Sequence, residues 1–160
     1  MSSEEPIEAR VAGRMAPALD EIDEHILREL SQDGRLSVRV LAERITISRA
    51  AAYNRIERLK KTGVLTGFTA TVDPARCGLS TSAYVTLTVR QNNWRDLTEH
   101  LRRLPEVKHM ALVGGEFDVV LLVRTTSNEH LRHLVLDKLQ EIPGVLGTTT
   151  LLIFDDLANA

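Results

Sequence analysis

Cys77 is the only cysteine in 160 residues. An internal disulfide framework and a cysteine-based zinc site are therefore both excluded, which fits a reducing cytoplasm. No apolar run approaches the roughly 18–20 residues that cross a bilayer, and no basic segment leads into an apolar one at the start. Membrane spanning and secretion are not expected. Phosphate-loop patterns are absent too, since Gly114-Gly115 stands outside any GxxxxGK[ST] or GxGxxG context. Of the histidines, only His130 and His133 are close, and further metal ligands are missing around them. Carboxylates are plentiful, but none is paired on an apolar wall for general acid/base work. An enzyme is not expected, and neither is a cofactor. What is present is ordinary: 43% hydrophobic and 26% charged residues support a real core in one domain or two small ones.

The net charge of −2 conceals a strong segregation. Residues 1–34 hold 3 basic and 9 acidic residues, whereas residues 35–61 hold 8 basic and 2 acidic. A compact basic stretch between acidic neighbours is how an electrostatic footprint for nucleic acid coexists with a near-neutral total. A solvated helical face explains the charge equally well, so the helical pattern has to decide.

Residues 1–17 show no sustained period and read as a mobile tail. Asp20 is placed to cap a first helix with Ile22, Ile26, Leu27 and Leu30 on one face, ended by Asp33-Gly34. Ser37 caps a second, whose Val38, Leu41, Ala42 and Ile45 fall at i, i+3, i+4 and i+7. After a break at Thr46-Ile47, Ser48 caps a third with Ala52, Ile56 and Leu59 inward and Gly63 at its end. Three short helices, the last two joined by about three residues, are the arrangement of a helix-turn-helix. With Ser48 at its start as part of the same DNA-binding set, the third presents Arg49, Ala50, Tyr53, Asn54 and Arg58, flanked by Arg55, Lys60 and Lys61: residue types that read grooves and neutralise phosphate. Arg49, Tyr53 and Asn54 are expected at base edges, and Arg58, Lys60 and Lys61 at phosphates. Arg55 either joins the phosphate set or braces the helix from inside.

Beyond residue 63 the period changes. Residues 64–72 read as extended, and Asp73-Pro74 and Cys77-Gly78 as a turn or linker. Strands are expected over 81–90, 107–113, 117–123 and 148–154, with helices over 94–103 and following Ser127. The order βαββαβ carries a faint repeat, Leu104-Pro105-Glu106-Val107 against Ile142-Pro143-Gly144-Val145. Two β-α-β halves give a ferredoxin-like domain with both helices on one face of four antiparallel strands. The other face, with Tyr84, Thr86 and Thr88, stays wet unless another subunit covers it, so oligomerisation through the sheet is expected.

These residues carry a resemblance to the Lrp/AsnC family of bacterial and archaeal transcription regulators. The matching positions run Leu19-Asp20, Asp23, Ile26-Leu27, Leu30, Arg35, Leu41-Ala42-Glu43, Ser48, Arg55-Ile56, Leu59, Gly63-Val64-Leu65 and Gly67. The turn Gly115-Glu116-Phe117-Asp118, preceded by Gly114, and Gly144-Val145 with Thr150 complete them. The resemblance implies a winged or extended helix-turn-helix, dimers through the regulatory domains that assemble to tetramers, octamers or larger rings, and an amino-acid effector bound between those domains. Carried over, the effector positions are Gly114, Gly115, Glu116, Phe117, Asp118 and Thr150. Asp118 there either accepts from an α-ammonium or caps local amides in a plain hairpin turn. Two departures stand out. Thr46 occupies the turn where glycine is common, so that turn is either strained or re-formed. Phe117 replaces the usual tyrosine.

The expected architecture is α+β: a flexible tail over 1–17, a winged-helix-like helix-turn-helix domain over 18–63, an extended linker over 64–79, a ferredoxin-like effector-binding and oligomerisation domain over 80–155, and a tail over 156–160. The expected function is that of a cytoplasmic, homo-oligomeric, sequence-specific binder of double-stranded DNA modulated by an amino acid. A stand-alone amino-acid sensor without DNA function is the alternative, and the basic third helix is what it leaves without a purpose.

Overall fold

A computed structural model describes residues 18–90 and 94–155. The two expected tails lie outside the described residues. The chain divides into two compact units, with the boundary between Thr71 and Val72.

In the first unit Asp20 opens α1 (Glu21–Gln32) through a capping box. Its Oδ1 accepts from the Asp23 amide at 2.8 Å, and Asp23 Oδ2 accepts from the Asp20 amide at 3.3 Å. Ser37 and Ser48 cap α2 (Val38–Arg44) and α3 (Arg49–Lys61) by accepting from Val40 and Ala51. The three apolar stripes meet in one cluster of Ile26, Leu30, Leu41, Ile56 and Leu59. Ala42 and Ala52 are buried as well. Small side chains at both places let α2 and α3 cross closely. Thr62 and then Gly63, at φ +73°, end α3. Residues 18–80 form no strand, so the described residues of the first unit carry no wing.

The turn between α2 and α3 keeps the form that favours glycine. Ile47 donates to the Ala42 carbonyl at 3.0 Å and Thr46 to the Glu43 carbonyl at 3.4 Å, which is the paired bonding of a Schellman motif. Thr46 sits at its left-handed position with φ 59°, the only non-glycine residue at positive φ among those described. The turn is thus strained rather than re-formed. A β-branched residue there costs about 1–2 kcal/mol, part of which glycine returns as unfolded-chain entropy. Thr46→Gly should therefore raise the stability of the first unit by roughly 0.5–1 kcal/mol, read as a higher denaturant midpoint at constant slope. An unchanged midpoint would show that the turn bears no strain.

The second unit is a four-stranded antiparallel sheet in the order β2-β3-β1-β4. Its elements are β1 (Thr81–Val89), α4 (Trp94–Arg102), β2 (Val107–Leu112), β3 (Val119–Thr125), α5 (Asn128–His133) and β4 (Val145–Ile153). Ala83, Val85, Leu87 and Val89 of β1 and Val119, Leu121 and Val123 of β3 pack against Leu97 and Leu101 of α4 and Leu131 of α5. Both helices therefore lie on one face. Continuing α5, Leu134–Leu139 is π-helical, with Gln140 donating to the Val135 carbonyl five residues back. The wider turn still sends Leu134, Val135 and Leu139 inward. Next to it Glu106 is buried, its Oε1 accepting from Lys138 Nζ at 2.8 Å and lying 3.1 Å from His130 Nε2.

On the opposite face, Tyr84 stands directly across from Leu151 and from Leu122. Tyr84 is 44% and Leu151 54% exposed. Between such residues Thr86 is buried, and its hydroxyl has no hydrogen-bond partner.

Candidate nucleic-acid interface and effector turn

The packing of Ala52, Ile56 and Leu59 fixes which side of α3 faces outward. Arg49, Ala50, Tyr53 and Asn54 are all exposed, in the N-terminal half of the helix just after the Ser48 cap. Lys60 and Lys61 are exposed at its C-terminal end. The structure thus brings Arg49, Ala50, Tyr53 and Asn54 onto adjacent positions of one surface. That is the half of a recognition helix that meets base edges.

Arg55 and Arg58 have other partners. Arg55 Nη1 donates to Asp20 Oδ1 and Oδ2, both at 2.7 Å, and to Asp23 Oδ1 at 2.8 Å. Arg58 Nη2 donates to Asp23 Oδ2. The Asp23 side chain is completely buried, while that of Asp20 is half exposed. Burial pushes the Asp23 carboxyl up, but hydrogen bonds from Arg58, Arg55 and the Asp20 amide outweigh it and hold it below its ordinary value of 3.8. The Arg55 hydrogen bond is the main reason that Asp20 is also held low. Removing one partner from a buried ion pair costs about 3–5 kcal/mol, whereas an exposed pair such as Arg39–Glu43, at 3.8 Å, is worth about 0–1 kcal/mol. The first of these is the interaction that matters to the fold. Arg55 therefore braces α3 against α1, and Arg58, expected at a phosphate, is engaged in the same brace. Asp20, Asn54, Arg55 and Arg58 line a shallow open cleft of about 380 Å³. The two aspartates had no functional reading from the sequence. Their signal was there: acids at i, i+3 on one helix face arginines at i, i+3 on another.

In the second unit, Gly114, Gly115 and Glu116 are exposed in the turn between β2 and β3, with Gly115 at φ +135°. Within the described residues the amides from Gly114 to Phe117 donate no hydrogen bond. Asp118 is tied in: its Oδ2 accepts from the Val89 amide at 2.8 Å, its own amide donates to Leu87, and its carbonyl accepts from Val113. One carboxylate oxygen thus fastens the turn to β1. Thr150 is not beside the turn. It lies opposite Val85 on β4, the edge strand separated from β3 by β1. No group of three or more histidine, cysteine or acidic side chains suited to a metal occurs among the described residues, and no described helix is long and apolar enough to cross a membrane.

Comparison with known proteins agrees with this geometry. Residues 19–60 match the model of the AsnC-type helix-turn-helix domain, and residues 82–159 that of the Lrp/AsnC ligand binding domain. The chain is 34% identical over 145 residues to the HTH-type transcriptional regulator AldR of Mycolicibacterium smegmatis, covering 89% of this chain and 85% of that one. It is 32% identical over 139 residues to the HTH-type transcriptional regulator FL11 of Pyrococcus horikoshii, covering 87% and 91%. Among solved structures, a transcriptional regulator from Neisseria meningitidis in complex with L-Met superposes with a TM-score of 0.83 at 26% identity, covering 89% and 94%. The chain belongs to the Lrp/AsnC family of DNA-binding helix-turn-helix transcriptional regulators.

Proposed function

We propose that the protein acts as a dimer-based, sequence-specific regulator whose α3 lies in the major groove of double-stranded DNA. The observation that carries this reading is the exposed quartet Arg49, Ala50, Tyr53 and Asn54 on the N-terminal half of a capped helix whose other side is packed. Arg49 suits guanine, Asn54 suits adenine, and the Ala50 methyl suits a thymine methyl. Lys60 and Lys61 act on phosphate. Two copies related by a two-fold axis set paired helices about 34–36 Å apart, the spacing of successive major grooves.

The regulatory input is an amino acid bound at the Gly114–Asp118 turn, with Thr150 as a further contact. Support comes from the unused amides of the turn, which suit a carboxylate, and from the free Oδ1 of Asp118, which suits an ammonium. The L-Met bound to the Neisseria relative supports the same ligand class. Binding there changes how dimers associate, and hence the spacing of helix pairs, a coupling between two distinct sites.

Fluorescence anisotropy tests both parts. Purified protein is titrated onto labelled DNA from upstream of its own gene and onto a shuffled duplex, without and with each of the twenty amino acids. At least ~10³-fold preference for the upstream DNA is expected. Asn54→Ala should relax preference at one base position by about 1–3 kcal/mol. Lys61→Ala should weaken all sequences alike and lower the salt slope by about one. Equal loss of specificity from both substitutions would overturn these roles. Absence of any DNA binding, with an amino acid still raising the melting temperature, would leave a stand-alone sensor.

A further inference from the structure

Five cations lie on α3, and they are not equivalent. Arg55 and Arg58 donate into Asp20 and Asp23 of α1. Lys60 meets only Glu57, at 2.9 Å in an exposed pair that salt and competing phosphate displace readily. Arg49 and Lys61 have no carboxylate partner among the described residues. The Asp20–Asp23–Arg55–Arg58 cluster is electrically neutral, so it adds no net attraction for DNA. Both oxygens of the buried Asp23 are occupied by guanidinium nitrogens. Moving either arginine onto a phosphate would strip a donor from a buried charge.

We propose that Asp20 and Asp23 are positioning residues of the DNA interface: they hold Arg55 and Arg58 against α1, so that these arginines aim the recognition helix and neutralise no phosphate. The phosphate footprint of α3 is then Lys60 and Lys61, and Arg49 is left for a base edge. The proposal rests on the DNA-binding reading above. It also accounts for the place of Asn54, which shares a cleft with the cluster. A shift in the brace is felt first by the base-reading side chain next to it.

The test uses the full chain and a duplex that the wild-type protein selects from a random pool, with a shuffled duplex as control, titrated between 50 and 200 mM salt. Arg55→Gln, Arg58→Gln and Asp20→Asn are compared with Lys61→Gln. Asp20→Asn removes a charge yet keeps a good N-cap, so it leaves a folded protein even if an arginine variant does not. Circular dichroism establishes folding in each case. Lys61→Gln should make the salt slope shallower by about 0.9 per protomer. The other three should leave the slope unchanged and cut the selected-to-shuffled affinity ratio by about 5- to 150-fold, the worth of one base contact. A slope that falls for Arg55→Gln or Arg58→Gln as it does for Lys61→Gln would place those guanidiniums on phosphate and overturn the proposal. An unchanged ratio in the folded variants would overturn it too. Failure of the wild-type protein to select any duplex is a different result, and it removes the DNA-binding reading itself.

Discussion

Asp23→Ala is expected to destabilise the helical unit by about 1–3 kcal/mol, a sizeable share of the roughly 5–15 kcal/mol that holds a natural domain together. The substitution strips two guanidiniums of a buried partner and removes the side chain that completes the capping box of α1. Chemical denaturation followed by circular dichroism reads the loss. A change below about 1 kcal/mol, the worth of an exposed pair, would show that solvent already screens the cluster. Acid acts on the same lever. Asp20 and Asp23 both titrate below 3.8 when folded, so their stabilising contribution is complete above that pH. It is lost as pH falls through the depressed values, because the unfolded chain then binds protons that the folded one resists. Burial pushes Glu106 up, but Lys138, its own amide and His130 outweigh that and hold it below 4.5. Acid therefore weakens both units. Asp23→Ala should reduce the acid sensitivity of the helical unit, with Asp20 still held low by Arg55, and leave that of the sheet unit in place.

The parts of this arrangement that are local in sequence were legible in it. Ser37, Ser48 and Ser127 each begin a helix because a short hydroxyl side chain meets an amide three residues on, and nothing distant competes. Alternation over Ala83–Val89 likewise located the central strand, whose two faces see core and solvent. Features that depend on a distant partner were not legible. Phe117 and Asp118 read as strand, yet β3 begins at Val119 because the Asp118 carboxylate is drawn across to the Val89 amide. β4 begins at Val145, three residues ahead of the expected start, because Val145 pairs across a bulge with Val89. The π-helical turns escaped notice since Leu131, Leu134, Val135 and Leu139 fall inward in either kind of helix. Arg55 and Arg58 are the clearest case. A guanidinium fits a carboxylate as well as a phosphate, so residue type alone could not say which partner it had.

Tyr84→Lys is expected to split the dimer and lower DNA affinity by about 10²–10⁴-fold, while leaving each unit folded. Tyr84 lies on the face of the sheet that neither helix covers, across from Leu151 on one side and Leu122 on the other. Its side chain is half exposed, so a lysine there creates no cavity and breaks no core contact. In the proposed dimer, what it opposes is a second copy of the same face. In a two-fold interface one substitution appears twice, so two ammonium groups meet where two rings would have packed. The DNA effect follows from linkage rather than contact. With two recognition helices on one assembly, the second binds at a high effective concentration, and that advantage vanishes with the dimer. Sedimentation at micromolar concentration reads the assembly, and anisotropy on the selected duplex reads the affinity. A monomer that still binds with wild-type affinity would show that one helix-turn-helix suffices. A dimer that survives Tyr84→Lys would place the interface on another face, and the apolar strip from Tyr84 to Leu151 would then need a different occupant.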